Sequence, residues 1–201
     1  MKHLSKTIIA FVTLLTILIG FSGPQKTEAA YTYGPPSYSS YEEGDVLITS
    51  SSVAGGLTGH AGIVAKGPDG VLYAIHTPGY GKGIEKISLA NWWVRYPKTE
   101  LHRYKNESVA KKAGQRAFKT YLSSKNTIAY DIAKDAALDR KNTKVLYCSK
   151  FVWQNYYYGA NVNLGYNPNT KYLITPYSLR SKDLAPFGNS NFTHEYGYIN
   201  Q

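Results

Sequence analysis

The chain has 201 residues, with 23 Lys and Arg against 13 Asp and Glu, a formal charge of +10 and one cysteine. That length suits one domain with appendages, and 43% hydrophobic against 18% charged residues argues against wholesale disorder. A single Cys excludes an intrachain disulfide framework and any Cys-based zinc cluster.

Lys2 and Lys6 precede an apolar run from Thr7 to Phe21. Ser22 to Ala30 then turns polar, with Thr27 and Ala29 placed like the small residues of an export cleavage site. This order reads as a secretory signal peptide over residues 1–29. The run is short of the roughly 20 residues a spanning helix needs, and an uncleaved N-terminal anchor is the alternative. No Cys follows the run, so a lipid-modified N-terminus is excluded. Cleavage after Ala29 leaves 172 residues and removes three lysines and one glutamate, lowering the charge to +8. A chain of that size supports one core. The positive balance of an exported protein favours wall polymers or lipid head groups over nucleic acid, and it equally suits a basic surface kept for solubility.

Residues 30–43 contain YTYGPPSYSSY (Tyr31 to Tyr41), a linker or an arm lying on the domain formed by residues 44–201. Strands are expected over Asp45–Thr49, His60–Ala65, Val71–His76 and Ile84–Leu89, with a weaker one over Glu100–Tyr104. Asn106 is a good N-cap for a helix reaching about Ser123, whose apolar face carries Ala110, Ala113, Ala117, Phe118, Tyr121 and Leu122. A charged loop runs from Lys125 to Lys144, with a helical turn around Ile132 to Leu138. Leu146–Tyr158 reads as a second helix, with Cys148, Phe151, Val152, Asn155 and Gly159 along one side. The tail from Asn161 offers little regular structure apart from Tyr172 to Ile174.

KGPDG, between the second and third strands, is a strong turn signal. Taken as the whole loop, it sets Ala65 opposite Val71 and, further out, His60 directly opposite His76. A three-residue loop, GPD, gives the same register, whereas a four-residue loop separates the rings to opposite faces. Directly opposed residues have Cβ atoms about 4.5–5.5 Å apart, so the imidazoles would touch. Gly62 and Ala74 share their face and leave a shallow floor where a helix can approach. Two adjacent imidazolium ions are poorly tolerated, so at least one ring stays neutral. The bland reading is a pair of histidines bonded to loop groups. Metal binding needs a further ligand, and no Asp or Glu is obviously placed to supply it.

Cys148 falls near the start of its helix, where open N–H groups and the macrodipole favour an anion and lower a thiol pKa. Inert burial is the alternative. Placed beside the histidines, Cys148 becomes a nucleophile, His60 the base and His76 the group that orients it. The Cys148 amide is one oxyanion donor, and the second is not identifiable from sequence.

These residues resemble a known family. GDVLIT (Gly44 to Thr49), GHAGIV (Gly59 to Val64), VLYAIHT (Val71 to Thr77) and YCSKFVW (Tyr147 to Trp153) are each similar to a landmark of NlpC-type cell-wall cysteine peptidases. The order differs, since the Cys helix comes last. That order resembles the circularly permuted, YiiX-like branch of papain-like hydrolases. The resemblance covers roughly Gly44 to Tyr158. It implies an α+β permuted papain-like fold, a small mainly antiparallel sheet with the Cys-bearing helix packed on its His face, and a Cys148–His60–His76 triad without metal or organic cofactor. Members of the permuted branch often place Glu where His76 stands. Tyr147 and Lys150 depart from the family's Asp before the Cys and its Gly or Glu after it, which bears on the substrate pocket.

Three functions follow. The first is an exported cysteine hydrolase, an amidase or peptidase cutting wall peptides through an acyl-thioester. The second is a lipid-directed thiol acyltransferase or esterase, since permuted relatives with this order resemble lecithin–retinol acyltransferase. The third is a non-catalytic wall-binding module. Trp92 and Trp93 read as core and rim, His102 and His194 as surface or structural, and Tyr156–Tyr158 as packing residues with wet hydroxyls.

Overall fold

The computed structural model describes residues 35–51, 58–124, 127–132, 144–166, 173–184 and 188–197. The expected signal peptide and the helical turn at Ile132–Leu138 therefore lie largely or wholly outside the described residues.

The fold is mixed α+β. Strands β1 (Val46–Thr49), β2 (His60–Lys66), β3 (Leu72–His76), β4 (Glu85–Ser88), β5 (Thr99–Tyr104) and β8 (Phe192–Gly197) form one antiparallel sheet in the order β4-β3-β2-β1-β5-β8. Two-residue strands β6 (Ala129–Tyr130) and β7 (Val145–Leu146) pair in parallel beside it. The helices are α1 (Leu89–Arg95), α2 (Glu107–Ser124) and α3 (Cys148–Ala160).

The central strands are buried on both faces, because each face meets helices. On one face Val46, Ile48, Ala61, Ile63 and Ile75 pack with α2 and α3 through Ala113, Phe118, Phe151, Val152 and Trp153. On the other, Leu47, Val64, Leu72, Ala74 and Leu101 pack with Trp92 and Trp93 of α1. Burying one such indole stabilises by about 4–6 kcal/mol on area alone. The Asn106 cap is present: its Oδ1 accepts from the Val109 amide at 3.1 Å. Gly44, at φ +96°, lies where a Cβ would run into the Ala110 backbone, and its carbonyl accepts from the Tyr156 hydroxyl at 2.7 Å. The GD turn thus ties both long helices to β1. Its Asp45 is buried and answered by Arg103 at 2.8 and 2.9 Å.

Three features differ from the sequence expectation. Leu89 opens α1 instead of ending a strand, because the Ser88 hydroxyl caps the Asn91 amide at 3.1 Å. The tail contributes β8 on the far edge. The β2–β3 register pairs Gly62 with His76 and Lys66 with Leu72, and Gly67 closes a tighter loop by donating to the Val71 carbonyl at 2.8 Å. His60 and His76 are therefore diagonal neighbours instead of direct partners. The slip is two residues, so they keep a common face.

Candidate active site

His60 opens β2 and His76 closes β3. His60 Nε2 lies 2.8 Å from His76 Nδ1, with ring centroids 5.1 Å apart and the planes at 78°. A diagonal pair sits about 7–8 Å apart at the backbone, a gap that two imidazoles span. Their floor is aromatic. Trp92 stacks on His60 at 5.7 Å and meets His76 edge-on at 5.2 Å, and Tyr96 lies 5.0 Å from His60. Gly62 makes this possible, since a Cβ there would stand 2.8 Å from the indole. The Trp92 Nε1–H donates to the Thr99 hydroxyl at 3.0 Å, which fixes the floor. Both rings are buried, and burial drives the His60 pKa well below the ordinary imidazole value, aided by His76. Burial also lowers that of His76, against the pull of Glu85. Both histidines are neutral at neutral pH.

Cys148 is the first residue of α3, at 5% exposure. Tyr147 at the N-cap makes no side-chain cap to the helix. The helix packs on the face opposite the rings, which corrects the expectation that it covers the His face; α1 fills that place because Gly62 admits Trp92. The sulfur meets the sheet at its end, where the amide of Ala61, next to His60 on β2, points at it along with Ser149 and the Tyr130 hydroxyl. Burial nevertheless pushes the thiol pKa up, and those donors offset it only in part. The resting site is thus a neutral thiol and a neutral imidazole. Burial thus opposes the activated thiolate expected from the helix terminus, and the hydrogen bonds at the sulfur do not overcome it.

Two residues were not read from the sequence. Glu85 on β4 stands beside His76 in the strand register, and its Oε2 lies 3.2 Å from His76 Nε2. The approach is off the ring's N–H axis, a close polar contact more than a straight hydrogen bond. Arg95 of α1 grips both oxygens of Glu85, at 2.6 and 3.3 Å. The His76 contact, with Arg95 behind it, holds the Glu85 carboxyl at about 2. Beside Glu85 lies a cleft of about 580 Å³ that Lys82 and Lys86 also line.

His102 and His194 are structural in their surroundings. His102 is fully buried, with Nε2 2.9 Å from Glu100 Oε2 and Nδ1 accepting from the Ser181 amide at 3.1 Å.

A family model described as lipoprotein N-acylation protein LnsA-like matches residues 4–196. A 30.3 kDa uncharacterized protein of Bacillus thuringiensis is 28% identical over 144 residues. That match covers 68% of this chain and 51% of the relative, so the chain spans about half of the relative's length. Among solved structures, the metalloprotein yiiX from Escherichia coli O157:H7 matches 79% of this chain and 98% of its own, at 14% identity and a TM-score of 0.54, a likeness of fold. Among the described residues, no three of His, Cys, Asp and Glu converge to hold a metal ion. His60 Nε2 and His76 Nδ1 face each other at hydrogen-bond distance and leave no room for a metal between them.

Proposed function

Because the chain belongs to the LnsA-like lipoprotein N-acylation family, we propose that it is a papain-like thiol acyltransferase that carries an acyl group on Cys148 as a thioester. One observation carries the mechanism: His60 Nε2 meets His76 Nδ1 at 2.8 Å, so the base chemistry of His60 falls to its Nδ1. That ring sits on the residue next to the amide that addresses the sulfur.

In the first half-reaction the thiol attacks the carbonyl of an acyl donor as His60 Nδ1 takes its proton. The Cys148 amide and the Tyr130 hydroxyl receive the oxyanion. His60 then returns the proton to the leaving oxygen, and the acyl-thioester remains. In the second half-reaction an amine attacks the thioester, His60 takes the amine's proton and passes it to the departing sulfur, and the thiol is restored as an amide forms. General-base help of this kind is worth about 10²–10⁴-fold and an oxyanion donor about 10²–10³-fold. The buried resting thiol suits a site that transfers protons during attack and keeps water from the thioester.

The family description supports a lipoprotein's amine as acceptor. A glycerolipid ester is the donor that fits, since Lys82 and Lys86 line the cleft beside Glu85 and would face a phosphate head group. Met1–Ala29 would direct the chain across the membrane, where such lipids and lipoproteins lie. The permuted order, with both histidines before Cys148, fits a papain-like arrangement.

The test is mass spectrometry of the intact protein after incubation with diacyl phospholipid vesicles, and separately with wall peptide fragments. A fatty-acyl mass on Cys148, absent in Cys148→Ala and discharged by a lipoprotein N-terminal peptide, is expected. A peptidyl adduct discharged by water would instead establish the wall amidase. No adduct from either source would overturn thiol catalysis.

A further inference from the structure

We infer that Glu85 is the positioning residue that decides which nitrogen of each imidazole bears the proton. Two neutral rings joined nitrogen to nitrogen can be arranged in two ways. In one, His60 donates from Nε2 and keeps Nδ1 bare. In the other, His76 donates from Nδ1 and His60 carries its proton on Nδ1, where it cannot act as a base. The pair itself does not choose between these arrangements, because the 2.8 Å contact is the same in both.

Glu85 makes the choice. A carboxylate accepts and cannot donate. It lies 3.2 Å from His76 Nε2, off the N–H axis but near enough that its charge draws the proton to that nitrogen. His76 Nδ1 is then bare and must accept, which puts the proton of His60 on Nε2 and leaves Nδ1 open. One acidic group thus sets two rings in series. Arg95 keeps it anionic, with its two nitrogens on the two carboxylate oxygens. Arg95 and His76 meet the same oxygen, Oε2, so the guanidinium also fixes the direction in which the carboxylate faces. The histidine pair runs from the interior of the sheet to its edge, and the residue that polarises it sits on the edge strand, 35% exposed.

The consequence for catalysis rests on the acyl-transfer reading, but the proton positions do not, and they can be read without turnover. The experiment is long-range ¹H–¹⁵N correlation of the histidine rings in the full ¹⁵N-labelled chain at pH 7.5, with iodoacetamide labelling of Cys148 alongside. In the native chain both rings should show Nε2–H. In Glu85→Gln, Arg95 claims the single amide oxygen and the NH₂ turns to His76, so both rings should move to Nδ1–H and labelling should slow about tenfold. Glu85→Ala should leave mixed tautomers, and Glu85→Asp should restore part of the native pattern. Nε2–H on both rings in both Gln and Ala variants, or Nδ1–H on His60 in the native chain, overturns the assignment. Tautomers that move as expected in a protein that forms no acyl adduct would sink the acyltransferase and leave the role of Glu85 standing.

Discussion

The molecule contains two clusters built from the same parts. His60 and His76 stand with Glu85 and Arg95 on the α1 face. His102 and His194, ring centroids 5.3 Å apart, stand with Glu100 and Arg180 on the other. Each has two imidazoles, a carboxylate and a guanidinium. In the second cluster His102 uses both nitrogens, one toward Glu100 and one for the Ser181 amide, and Glu100 is almost sealed. His102 thereby joins β5 to the segment after the Pro176–Leu179 turn, while His194 Nε2 has no hydrogen-bond partner among the described residues. In the first cluster the chain of contacts ends on His60, next to the amide that addresses the Cys148 sulfur. The difference separates a bracket from a base. Residue type and burial do not distinguish the two, but the neighbouring sulfur does.

The largest expected effects break this comparison outright. Cys148→Ala should abolish the acyl adduct, and His60→Ala should slow its formation at least about 100-fold while the protein stays folded. His102→Ala should do the reverse. It should lower stability by about 2–3 kcal/mol, since it strands the Ser181 amide and strips a partner from Glu100, yet leave adduct formation in the folded fraction near normal. Adduct kinetics and denaturant titration on the same samples decide. Equal loss of adduct in His60→Ala and His102→Ala would erase the distinction.

Next in size is the orienting position. The permuted branch suggests Glu there, but Glu85 already stands beside His76. His76→Glu would set two carboxylates together and should be about tenfold less active than His76→Gln. The opposite ranking, measured as single-turnover acylation, would mean that Glu85 turns away.

The fold was legible where apolar runs meet Gly and Pro. DVLIT, HAGIVA and VLYAIH became β1 to β3, and the helix from Asn106 fell within a residue of expectation. The meeting of the two rings was legible too, because strand parity survives a slip of two. Helix α1 was not, since LANWWVR is short and reads as strand continuation until the Ser88 cap is seen. Strand β8 hides in FTHEYG, an edge strand in which only Phe192 is buried. Glu85 was invisible for a different reason. Its pairing depends on the register across residues 77–84, a connection too long for the turn to set by counting. Which face the Cys helix takes depends on Trp92 filling the space above Gly62, a contact between residues thirty apart.

A smaller effect concerns the thiol itself. Burial raises the Cys148 pKa above its ordinary value of 9.0, so thiolate accumulates only on the alkaline side of that value. Iodoacetamide labelling should therefore keep climbing through pH 9, where an activated pair would reach a plateau near neutrality. A plateau below pH 8 would restore the resting ion pair.

The smallest effect is one in which both clusters agree. His60, His76 and His102 all have folded pKa values below 6.5 because they are buried neutral. As pH falls below about 6.5 the unfolded chain takes up protons that the folded chain refuses, so stability is present above that point and declines below it, by at most about 1.4 kcal/mol per pH unit for each ring. His60→Gln and His102→Gln should each flatten that decline in urea titrations between pH 4 and 7. An unchanged slope in either would mean that its ring is protonated in the fold.

The two-residue slip between β2 and β3 has a wider meaning for how such a chain can vary. A hairpin can gain or lose residues at its tip in even numbers and still bring both imidazoles to one side of the sheet. An odd change would send one imidazole to the long helices and the other to the indoles, with every neighbouring side chain reversed as well. Turn length in sister sequences should therefore move in steps of two, much as a gear accepts only whole teeth, and a single-residue insertion after Gly67 should cost the chemistry before it costs the fold.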